Sequence, residues 1–387
     1  MDPTGNDAST FERHLFQRAG ANHIPIYGVL ELLPLCNLRC DMCYIRMDRK
    51  DMESKGRLCS LNEWLSLAEE MKKAGTLFLL LTGGEPLLYP DFKELYTELQ
   101  KMGMILTINT NGTLINEEWA DFFAMQKPRR INITLYGASN ETYESLCHVP
   151  NGFDHALNGI RLLKDRGIDV KINGSLAKVN LDDRIKIIEI GEHFDIPVRI
   201  DTYMYPSSRE RSCSYNFQSR LDPETAAKAR IDVLHREMGE EIFTQYAHEI
   251  IAKMQMAEQT PPTDGCMTCR AGKSSFVINW QGHMRPCVVL DEPDIPVLET
   301  GFQEAWNQTI AGTKKIQVSK ECTQCNYRYV CNNCPASAIA ECGSYDAVPD
   351  YICRYTKTTV SCIQDYLKDK GDANLTSNEP EGKYHEE

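Results

Sequence analysis

The sequence predicts an α/β protein whose N-terminal part is an open barrel of strands and helices and whose C-terminal part is a small cysteine-rich domain. Three observations carry this prediction. Apolar segments of strand length alternate with amphipathic helical segments between residues 24 and 205, long helical periods are scarce after residue 265, and cysteines beyond that point recur in closely spaced pairs. Alternating strands and helices imply parallel strands joined by right-handed helical crossovers.

Six strand segments and the helices between them define the barrel. The strands are predicted over residues 27–33, 76–81, 104–109, 130–135, 169–176 and 197–203. The first crossover helix begins at Ser60, which forms a capping-box pattern with Glu63. Later helices are predicted over residues 91–102, 116–125, 140–146, 153–166 and 181–194. Because six units are too few for an eight-unit barrel, we expect a partial (β/α)6, TIM-like barrel with ligands at the carboxyl ends of the strands.

Changes in composition divide the chain into five predicted segments. They are an N-terminal extension (1–23), the barrel (24–235), a helical linker (236–264), the cysteine-rich domain (265–370) and an acidic tail (371–387). The first segment is polar and without period, so we expect it to be loose. The last segment also lacks an apolar period, and we expect it to be disordered. The cysteine-rich domain would depend on bound metal for much of its stability.

Composition and charge exclude several classes of function. The 387 residues are 42% hydrophobic and 25% charged, which is close to the globular average. The 42 basic and 55 acidic residues give a net charge of −13, which disfavours binding to nucleic acid. No apolar run approaches the ~20 residues that span a bilayer, and the N-terminus lacks the pattern of a signal peptide. We therefore expect a cytoplasmic protein that does not bind a membrane.

The first group of cysteines directly follows the first predicted strand. Cys36, Cys40 and Cys43 have the spacing C-x3-C-x2-C. In a cytoplasmic chain, clustered cysteines indicate metal ligands or redox groups rather than disulfides. Three thiolates on one loop can hold three irons of a four-iron cluster and leave the fourth iron open, since a complete set has four cysteines. The alternative is a zinc site whose fourth ligand comes from elsewhere in the chain.

A glycine-rich segment follows the second predicted strand. Its sequence is Thr82-Gly83-Gly84-Glu85-Pro86. Two glycines allow a ligand to approach the backbone closely, and Glu85 offers a carboxylate to an ammonium group. The alternative is a strand-to-helix turn that binds no ligand.

Together, these two motifs resemble the radical S-adenosylmethionine (radical SAM) superfamily over about residues 24–205. The resemblance implies that Cys36, Cys40 and Cys43 bind a [4Fe–4S] cluster whose open iron binds the amino and carboxylate groups of S-adenosylmethionine. It also implies that seven residues contact this cofactor: Tyr44, Gly83, Gly84, Glu85, Asn109, Asn111 and Thr134. An arginine that relatives often carry later in the chain is missing here, and His148 is a candidate for its role.

A second set of cysteines lies between residues 265 and 354. Its eight members could hold two four-iron clusters or four-cysteine zinc sites. Their spacing resembles the SPASM extension of radical SAM enzymes. The resemblance implies one auxiliary [4Fe–4S] cluster on Cys266, Cys269, Cys287 and Cys334 and another on Cys322, Cys325, Cys331 and Cys353. Two pairs are closer in sequence than in relatives, which could leave an auxiliary iron open, and Cys342 could replace Cys353.

The resemblance implies a radical SAM/SPASM enzyme. Such an enzyme cleaves S-adenosylmethionine reductively to a 5′-deoxyadenosyl radical, which abstracts hydrogen from a peptide or protein side chain. The favoured role is maturation of a ribosomally synthesised peptide, by a thioether or carbon–carbon cross-link or by epimerisation. The alternative is an anaerobic sulfatase-maturating enzyme that forms formylglycine. Those relatives carry Asp after the cysteine that corresponds to Cys287, whereas this chain has Val288.

The resemblance also implies partners. We expect a peptide or protein substrate and a reductant such as flavodoxin or ferredoxin. A leader peptide would bind either to a separate leader-peptide-binding protein or to the rim of the barrel. Cys213, in a loop after the sixth strand, is a candidate for contact with the substrate. Two non-enzymatic alternatives remain open: a zinc-stabilised binding protein and an electron-transfer protein.

Overall fold

Six parallel strands follow one another across a sheet in chain order. The computed structural model describes residues 10–206, 219–331 and 333–371. The strands are β1 (Tyr27–Glu31), β2 (Phe78–Thr82), β3 (Ile105–Thr110), β4 (Arg130–Leu135), β5 (Val170–Ser175) and β6 (Val198–Asp201). All six predicted strands are present, and the first, fifth and last end earlier than predicted.

Helices connect these strands. They are α1 (Thr10–Ala21), α2 (Arg49–Lys55), α3 (Leu61–Ala74), α4 (Phe92–Lys101), α5 (Glu117–Met125), α6 (Asn140–Cys147), α7 (Gly152–Asp165) and α8 (Arg184–Phe194). The predicted capping box is present at α3, because Ser60 and Glu63 exchange side chain–backbone hydrogen bonds. The largest apolar core joins strand residues such as Leu30 and Ile133 to helix residues such as Trp64.

The N-terminal extension is not loose over residues 10–21, so that expectation was wrong. Helix α1 packs Phe16 and Ala19 into a small cluster with Ile26 and Phe78. The Phe16 and Phe78 rings stack with centroids 5.3 Å apart, and the Arg270 guanidinium lies 4.1 Å from the centroid of the Phe16 ring. Because only two residues of the helix are buried, its apolar period is too weak to recognise in the sequence.

The sheet continues past β1 into the cysteine-rich region. Strand β7 (Ser275–Ile278) pairs parallel with β1, and β8 (His283–Arg285) and β9 (Ile295–Pro296) follow in antiparallel pairing. The order is β6-β5-β4-β3-β2-β1-β7-β8-β9. This extension was not predicted, because a four-residue apolar run carries no period of its own.

The rest of the C-terminal region is mainly helical. Its elements are α9 (Pro223–Gln259), α10 (Val297–Thr300), α11 (Phe302–Thr313), α12 (Lys320–Gln324), α13 (Pro335–Cys342) and α14 (Asp350–Asp369). Helix α9 is interrupted at Gly239, whose φ of 70° and ψ of 169° are not helical. Helix α14 packs along α9, with Ala247 and Ile250 against Val360 and Ile363. The sequence analysis expected few long helices here and did not predict α14. The charged residues on one face of this helix make its apolar residues hard to recognise as a helical pattern in the sequence.

Two further observations bear on the sequence-based expectations. None of the helices in the described ranges is both long and apolar enough to cross a membrane. Cys213 and the acidic tail from residue 372 onward lie outside the described residues.

Candidate active site

The three cysteines that follow β1 share one loop, called here the three-cysteine loop (residues 36–43). Cys40 is buried, and Cys36 and Cys43 are half-buried. The Leu38 amide donates to Cys36 Sγ at 3.4 Å, and the Arg46 amide donates to Cys43 Sγ at 3.2 Å. Burial above all raises the pKa of the Cys36 thiol, and the two neighbouring thiols raise it further. Sulfurs in such a place become thiolates on binding a metal, and this donor set fits a cluster held by three cysteines.

The C-terminal end of α6 fastens this loop to the barrel. The amides of Arg39 and Asp41 donate to the carbonyl oxygens of Cys147 and Leu146 over 3.0 and 3.1 Å. His148 Nε2 lies 2.6 Å from Asp41 Oδ1, so the imidazole is paired with the loop itself. His148 therefore serves the attachment of the loop, and it does not line the cavity described below.

The glycine-rich turn after β2 lies against the chain that leads into the three-cysteine loop. The Gly84 amide donates to the Leu33 carbonyl at 2.7 Å, and the Glu85 amide donates to the Leu35 carbonyl at 2.9 Å. A Cβ on Gly83 would lie 2.5 Å from the Leu33 oxygen, and one on Gly84 would lie 2.3 Å from the Leu35 oxygen. The crossing of two backbone segments thus requires both glycines, whether or not a ligand is bound.

The Glu85 side chain is fully buried and is held by protein donors. Its carboxylate accepts hydrogen bonds from Thr110 Oγ1 at 2.8 Å, the Asn111 amide at 2.9 Å and the Leu87 amide at 3.2 Å. Burial raises the pKa of Glu85 to about 7 despite these bonds. A contact with an ammonium group, which the family resemblance implies, would add to these three donors, since a carboxylate has about four acceptor positions. That contact stays a prediction.

The segment after β3 supports the same loop. Asn111 Nδ2 lies 3.7 Å from Cys36 Sγ and donates to Asn37 Oδ1 at 2.9 Å. One strand further on, Asn132 Nδ2 donates to Asn109 Oδ1 at 2.7 Å. Both asparagines predicted to contact the cofactor therefore also have partners within the protein.

A cavity of about 1640 Å³ opens at the carboxyl ends of the strands. This volume exceeds the roughly 300–1,000 Å³ of an ordinary small-molecule site. Its lining includes every predicted cofactor contact except Glu85, as well as two cysteines: Cys40, Cys43, Tyr44, Gly83, Gly84, Asn109, Asn111 and Thr134. Val288 and Val289, which follow Cys287, and Thr356 also line it. The cavity thus reaches from the three-cysteine loop to the later cysteines.

One group of later cysteines adjoins α14. Cys353 lies near Cys331, Cys322 and Cys325, and burial together with these thiols raises its pKa to about 11. Thr356 Oγ1 lies 3.4 Å from Cys331 Sγ and donates to it. The structure therefore brings together the four cysteines predicted for the second auxiliary cluster.

The other group is less enclosed. Cys287 lies near Cys334 and Cys269, and Cys269 and Cys266 are exposed. Cys342, the suggested replacement for Cys353, is exposed, and its thiol points to the Val348 carbonyl at 3.8 Å.

Zinc was the alternative for these cysteines. Within residues 10–206, 219–331 and 333–371, no three His, Cys, Asp or Glu side chains converge on the position of a single metal ion. A four-iron cluster attaches each cysteine to a different iron, so its ligands stand farther apart than those of one ion.

Two residues near Cys40 escaped the sequence analysis. The Cys147 thiol is in hydrogen-bond contact with Cys40 and raises its pKa, while a hydrogen bond from Tyr136 lowers it. Cys147 is fully buried, and Tyr136 lines the cavity. Both belong to the β4–α6 unit, far from Cys40 in sequence, so no spacing pattern connects them.

Residues 30–190 match the family model of the Radical SAM superfamily. The chain carries a radical SAM domain. The family uses S-adenosylmethionine and [4Fe–4S] clusters, and the two later cysteine groups fit auxiliary clusters.

Known relatives extend the likeness beyond this radical SAM domain. The AdoMet-dependent heme synthase of Methanosarcina barkeri is 25% identical over 330 residues, which are 81% of this chain and 92% of that protein. The subtilosin biosynthesis protein AlbA of Bacillus subtilis is 26% identical over 297 residues, which are 74% of this chain and 59% of that protein. Among solved structures, Streptococcus suis SuiB bound to precursor peptide SuiA has a similar fold, with a TM-score of 0.64 and 18% identity over 90% of this chain and 82% of that one. The predicted fold class is confirmed.

Proposed function

We propose that this radical SAM protein is an enzyme that abstracts a hydrogen atom from a peptide or protein side chain, as in the maturation of a ribosomally synthesised peptide. The cavity carries the proposal. It joins the three-cysteine loop to the surroundings of Cys287 and Cys331 and has room for a cofactor together with part of a larger substrate.

The residues of the loop would hold and orient the cofactor. Cys36, Cys40 and Cys43 would ligate a [4Fe–4S] cluster, which together with S-adenosylmethionine supplies the hydrogen-abstracting radical when both are bound. Asn111 fixes the Cys36 end of the loop, and Tyr136 fixes Cys40. Such anchoring keeps the reacting groups in a constant geometry, which is the main contribution a protein makes to cofactor chemistry.

The later cysteines would hold two auxiliary clusters beside the substrate. The first would use Cys266, Cys269, Cys287 and Cys334, and the second would use Cys322, Cys325, Cys331 and Cys353. Because Thr356 both lines the cavity and donates to Cys331 Sγ, a substrate in the cavity would lie next to the second group.

The charge of the cavity wall favours a peptide over a substrate with several carboxylates. Five acidic residues line it, namely Glu192, Asp195, Asp201, Glu237 and Glu249, against two basic ones, Arg199 and Arg230. Arg199 is bonded to Asp201 at 3.0 Å, Glu192 is bonded to Arg236 at 2.7 Å, and burial raises the pKa of Glu237 to about 7. Asp195 and Glu249 then remain against Arg230. The remaining excess of carboxylates is small, so it disfavours a polycarboxylate and favours basic side chains of a peptide only slightly.

A second candidate is the modification of an iron tetrapyrrole. The alignment with the Methanosarcina barkeri heme synthase favours it, since it covers 81% of this chain and 92% of that protein. The slight excess of carboxylates in the cavity wall disfavours it only a little, because porphyrins of the coproporphyrin type carry several carboxylates.

Anaerobic reconstitution tests both candidates. The enzyme should bind about twelve irons, as three four-iron clusters require, and should release 5′-deoxyadenosine when dithionite is supplied. Side-chain-deuterated peptides and iron coproporphyrin are then compared as sources of deuterium in 5′-deoxyadenosine. Transfer from peptides alone supports the proposal, transfer from the porphyrin alone supports the second candidate, and absence of 5′-deoxyadenosine contradicts both. A formylglycine product would identify sulfatase maturation instead.

A further inference from the structure

We propose that Thr356 is a positioning residue of the second auxiliary site, where its hydroxyl group donates to Cys331 Sγ and raises the reduction potential of the cluster that this cysteine would ligate. This role rests on the part of the proposed function that makes Cys331 a cluster ligand. It adds a way in which the cavity wall controls how readily that cluster takes up an electron.

Thr356 shares a helix with one of the cysteines of this group. Cys353 lies three residues earlier in α14, and helical residues three apart lie on the same side of the helix. Cys353 is near Cys331 and the other two cysteines of its group, so this side of α14 faces the sulfur atoms. The Thr356 hydroxyl donates to Cys331 Sγ over 3.4 Å. The residue is only 6% exposed, so water competes little for this bond.

The hydroxyl of Thr356 is used differently from those of other helical threonines. A threonine within a helix commonly donates to the carbonyl oxygen four residues earlier. Five threonines of this chain do so over 2.8 to 2.9 Å, namely Thr97, Thr244, Thr309, Thr313 and Thr359. Within the described residues, Thr356 makes no such bond to the Ile352 carbonyl, and its donor is directed to Cys331 instead.

Contacts with neighbouring elements fix the position of α14. The hydroxyl oxygens of Tyr355 and Thr202 are 2.8 Å apart, both residues are buried, and Thr202 directly follows β6. Tyr351 Oη donates to the Leu221 carbonyl at 2.8 Å. Tyr355 and Thr356 both line the large cavity. The Thr356 hydroxyl therefore has a fixed place between the cavity and the sulfur of Cys331.

Within the described part of the chain, two side chains donate to the sulfur atoms of this cysteine group. Besides Thr356, Asn333 Nδ2 donates to Cys322 Sγ at 3.3 Å. Backbone amides donate to two sulfurs of the group as well. Of the two side chains, Thr356 is the one that lines the cavity. It is thus the donor that separates a cluster ligand from a substrate in the cavity.

A donor in this place has a predictable effect on electron uptake. Reduction adds negative charge to an iron–sulfur cluster and its thiolate ligands, and a hydrogen bond to a more negative acceptor is stronger. Hydrogen bonds to the sulfurs are among the factors that set the reduction potential of a cluster. The Thr356 hydroxyl therefore stabilises the reduced form more than the oxidised form and raises the potential.

Redox titration of the reconstituted full chain, followed by electron paramagnetic resonance, tests this role. Thr356→Val removes the hydroxyl group and nearly keeps the size of the side chain. We expect it to reduce the equilibrium constant for reduction of the second auxiliary cluster by up to about tenfold, the worth of one hydrogen bond to a charged acceptor, which lowers the potential by about 59 mV for a one-electron couple.

Two further variants are matched controls. Thr359→Val lies on the same helix and removes a hydroxyl group that donates to the Tyr355 carbonyl, so it should leave the potential unchanged. Thr356→Ser keeps a hydroxyl group and should recover at least part of the shift. An unchanged potential in Thr356→Val, an equal shift in Thr359→Val, or no recovery in Thr356→Ser would overturn the proposal.

The resonance signals are assigned by two independent changes. Cys353→Ser should alter or remove the signal of the second auxiliary cluster, and S-adenosylmethionine should alter that of the cluster with an open iron. Iron content, about twelve atoms per chain for three four-iron clusters, and melting temperature establish that the threonine variants fold and bind their clusters. If Thr356→Val fails to bind the second cluster, Thr356→Ala replaces it with the same expected shift.

Failure of this role can be distinguished from failure of the proposed function. If peptides donate deuterium while Thr356→Val and Thr359→Val have the same potential, Thr356 does not act on the cluster but the peptide substrate stands. If Thr356→Val shifts the potential while only iron coproporphyrin donates deuterium, the peptide substrate is wrong and the role of Thr356 stands. If Cys353→Ser changes neither the iron content nor any signal, the ligand assignment is wrong and the role of Thr356 is overturned with it.

Discussion

The two cysteine-bearing regions of the molecule differ in what holds their sulfur atoms in place. The three-cysteine loop is fastened by the turn after β2, the segment after β3 and the end of α6, and Cys40 is only 7% exposed. The later cysteines are spread from residue 266 to residue 353, and Cys266 and Cys269 are exposed. The barrel thus builds its site from its own packing, whereas the C-terminal sites depend more on the metal that completes them.

The later cysteines also differ among themselves. The group around Cys353 adjoins α14, which is anchored on α9 by a small apolar cluster. The group around Cys287 rests on short elements and includes the exposed pair Cys266 and Cys269. Dependence on metal should therefore increase from the three-cysteine loop to the Cys353 group and then to the Cys287 group.

Loss of the first cluster should have the largest effect. Changing Cys36, Cys40 and Cys43 together to Ala should abolish release of 5′-deoxyadenosine, because no cysteine remains to hold the cluster whose open iron binds the cofactor. Iron bound by the later cysteines should be retained, at about eight atoms per chain, as two four-iron clusters require. Iron analysis and chromatography of the products check both parts. Retained cleavage would contradict the assignment.

Removal of all iron should separate the two regions by stability. We expect amide exchange in residues 265–334 to accelerate strongly in the metal-free protein, while β1 to β5 stay protected by the barrel core. Hydrogen exchange measured with and without bound iron is the test. Equal acceleration in both regions would show that the barrel also depends on metal.

A substitution at the backbone crossing should destabilise the barrel itself. In Gly84→Ala, the new Cβ would lie 2.3 Å from the Leu35 oxygen, and we expect a loss of about 2–3 kcal/mol in the free energy of unfolding. Gly20→Ala is the control, since its Cβ meets nothing closer than 3.9 Å and alanine favours the helix. Denaturant unfolding of the metal-free proteins compares them. A neutral Gly84→Ala would mean that the two segments can separate at little cost.

The smallest effect concerns the pH dependence of the barrel. Hydrogen bonding to Arg57 lowers the pKa of Glu63 from 4.5 to about 2, so the ion pair stabilises the folded state above pH 4.5 and this contribution is lost as the pH falls towards 2. Glu63→Gln keeps the capping pattern and removes the charge. The difference in melting temperature between the unaltered protein and Glu63→Gln should decrease as the pH falls from 4.5 to 2. The decrease should be small, because the ion pair is exposed to solvent. A constant difference would exclude the ion pair as its source.

Much of the site was predictable from sequence because its chemistry is local. The thiols of Cys36, Cys40 and Cys43 lie in one loop, and the spacing alone places them together. The later cysteines were grouped through the family resemblance, and the neighbours found around Cys353 agree with that grouping. The contacts that support the site could not be predicted. Tyr136 and Cys147 contact Cys40 from a distant part of the chain, and the Glu85 carboxylate accepts hydrogen bonds from Thr110 and Asn111.

By itself, the sequence determined the six β/α units and the cysteine spacings, because hydrophobic period and short-range geometry are written in consecutive residues. Only the tertiary structure decided that β7 extends the barrel sheet, that both glycines after β2 are required by a backbone crossing, and that all four residues of β6 line the cavity. Each of these depends on segments that meet across long stretches of chain, where packing and backbone hydrogen bonding, rather than local preference, select the partner.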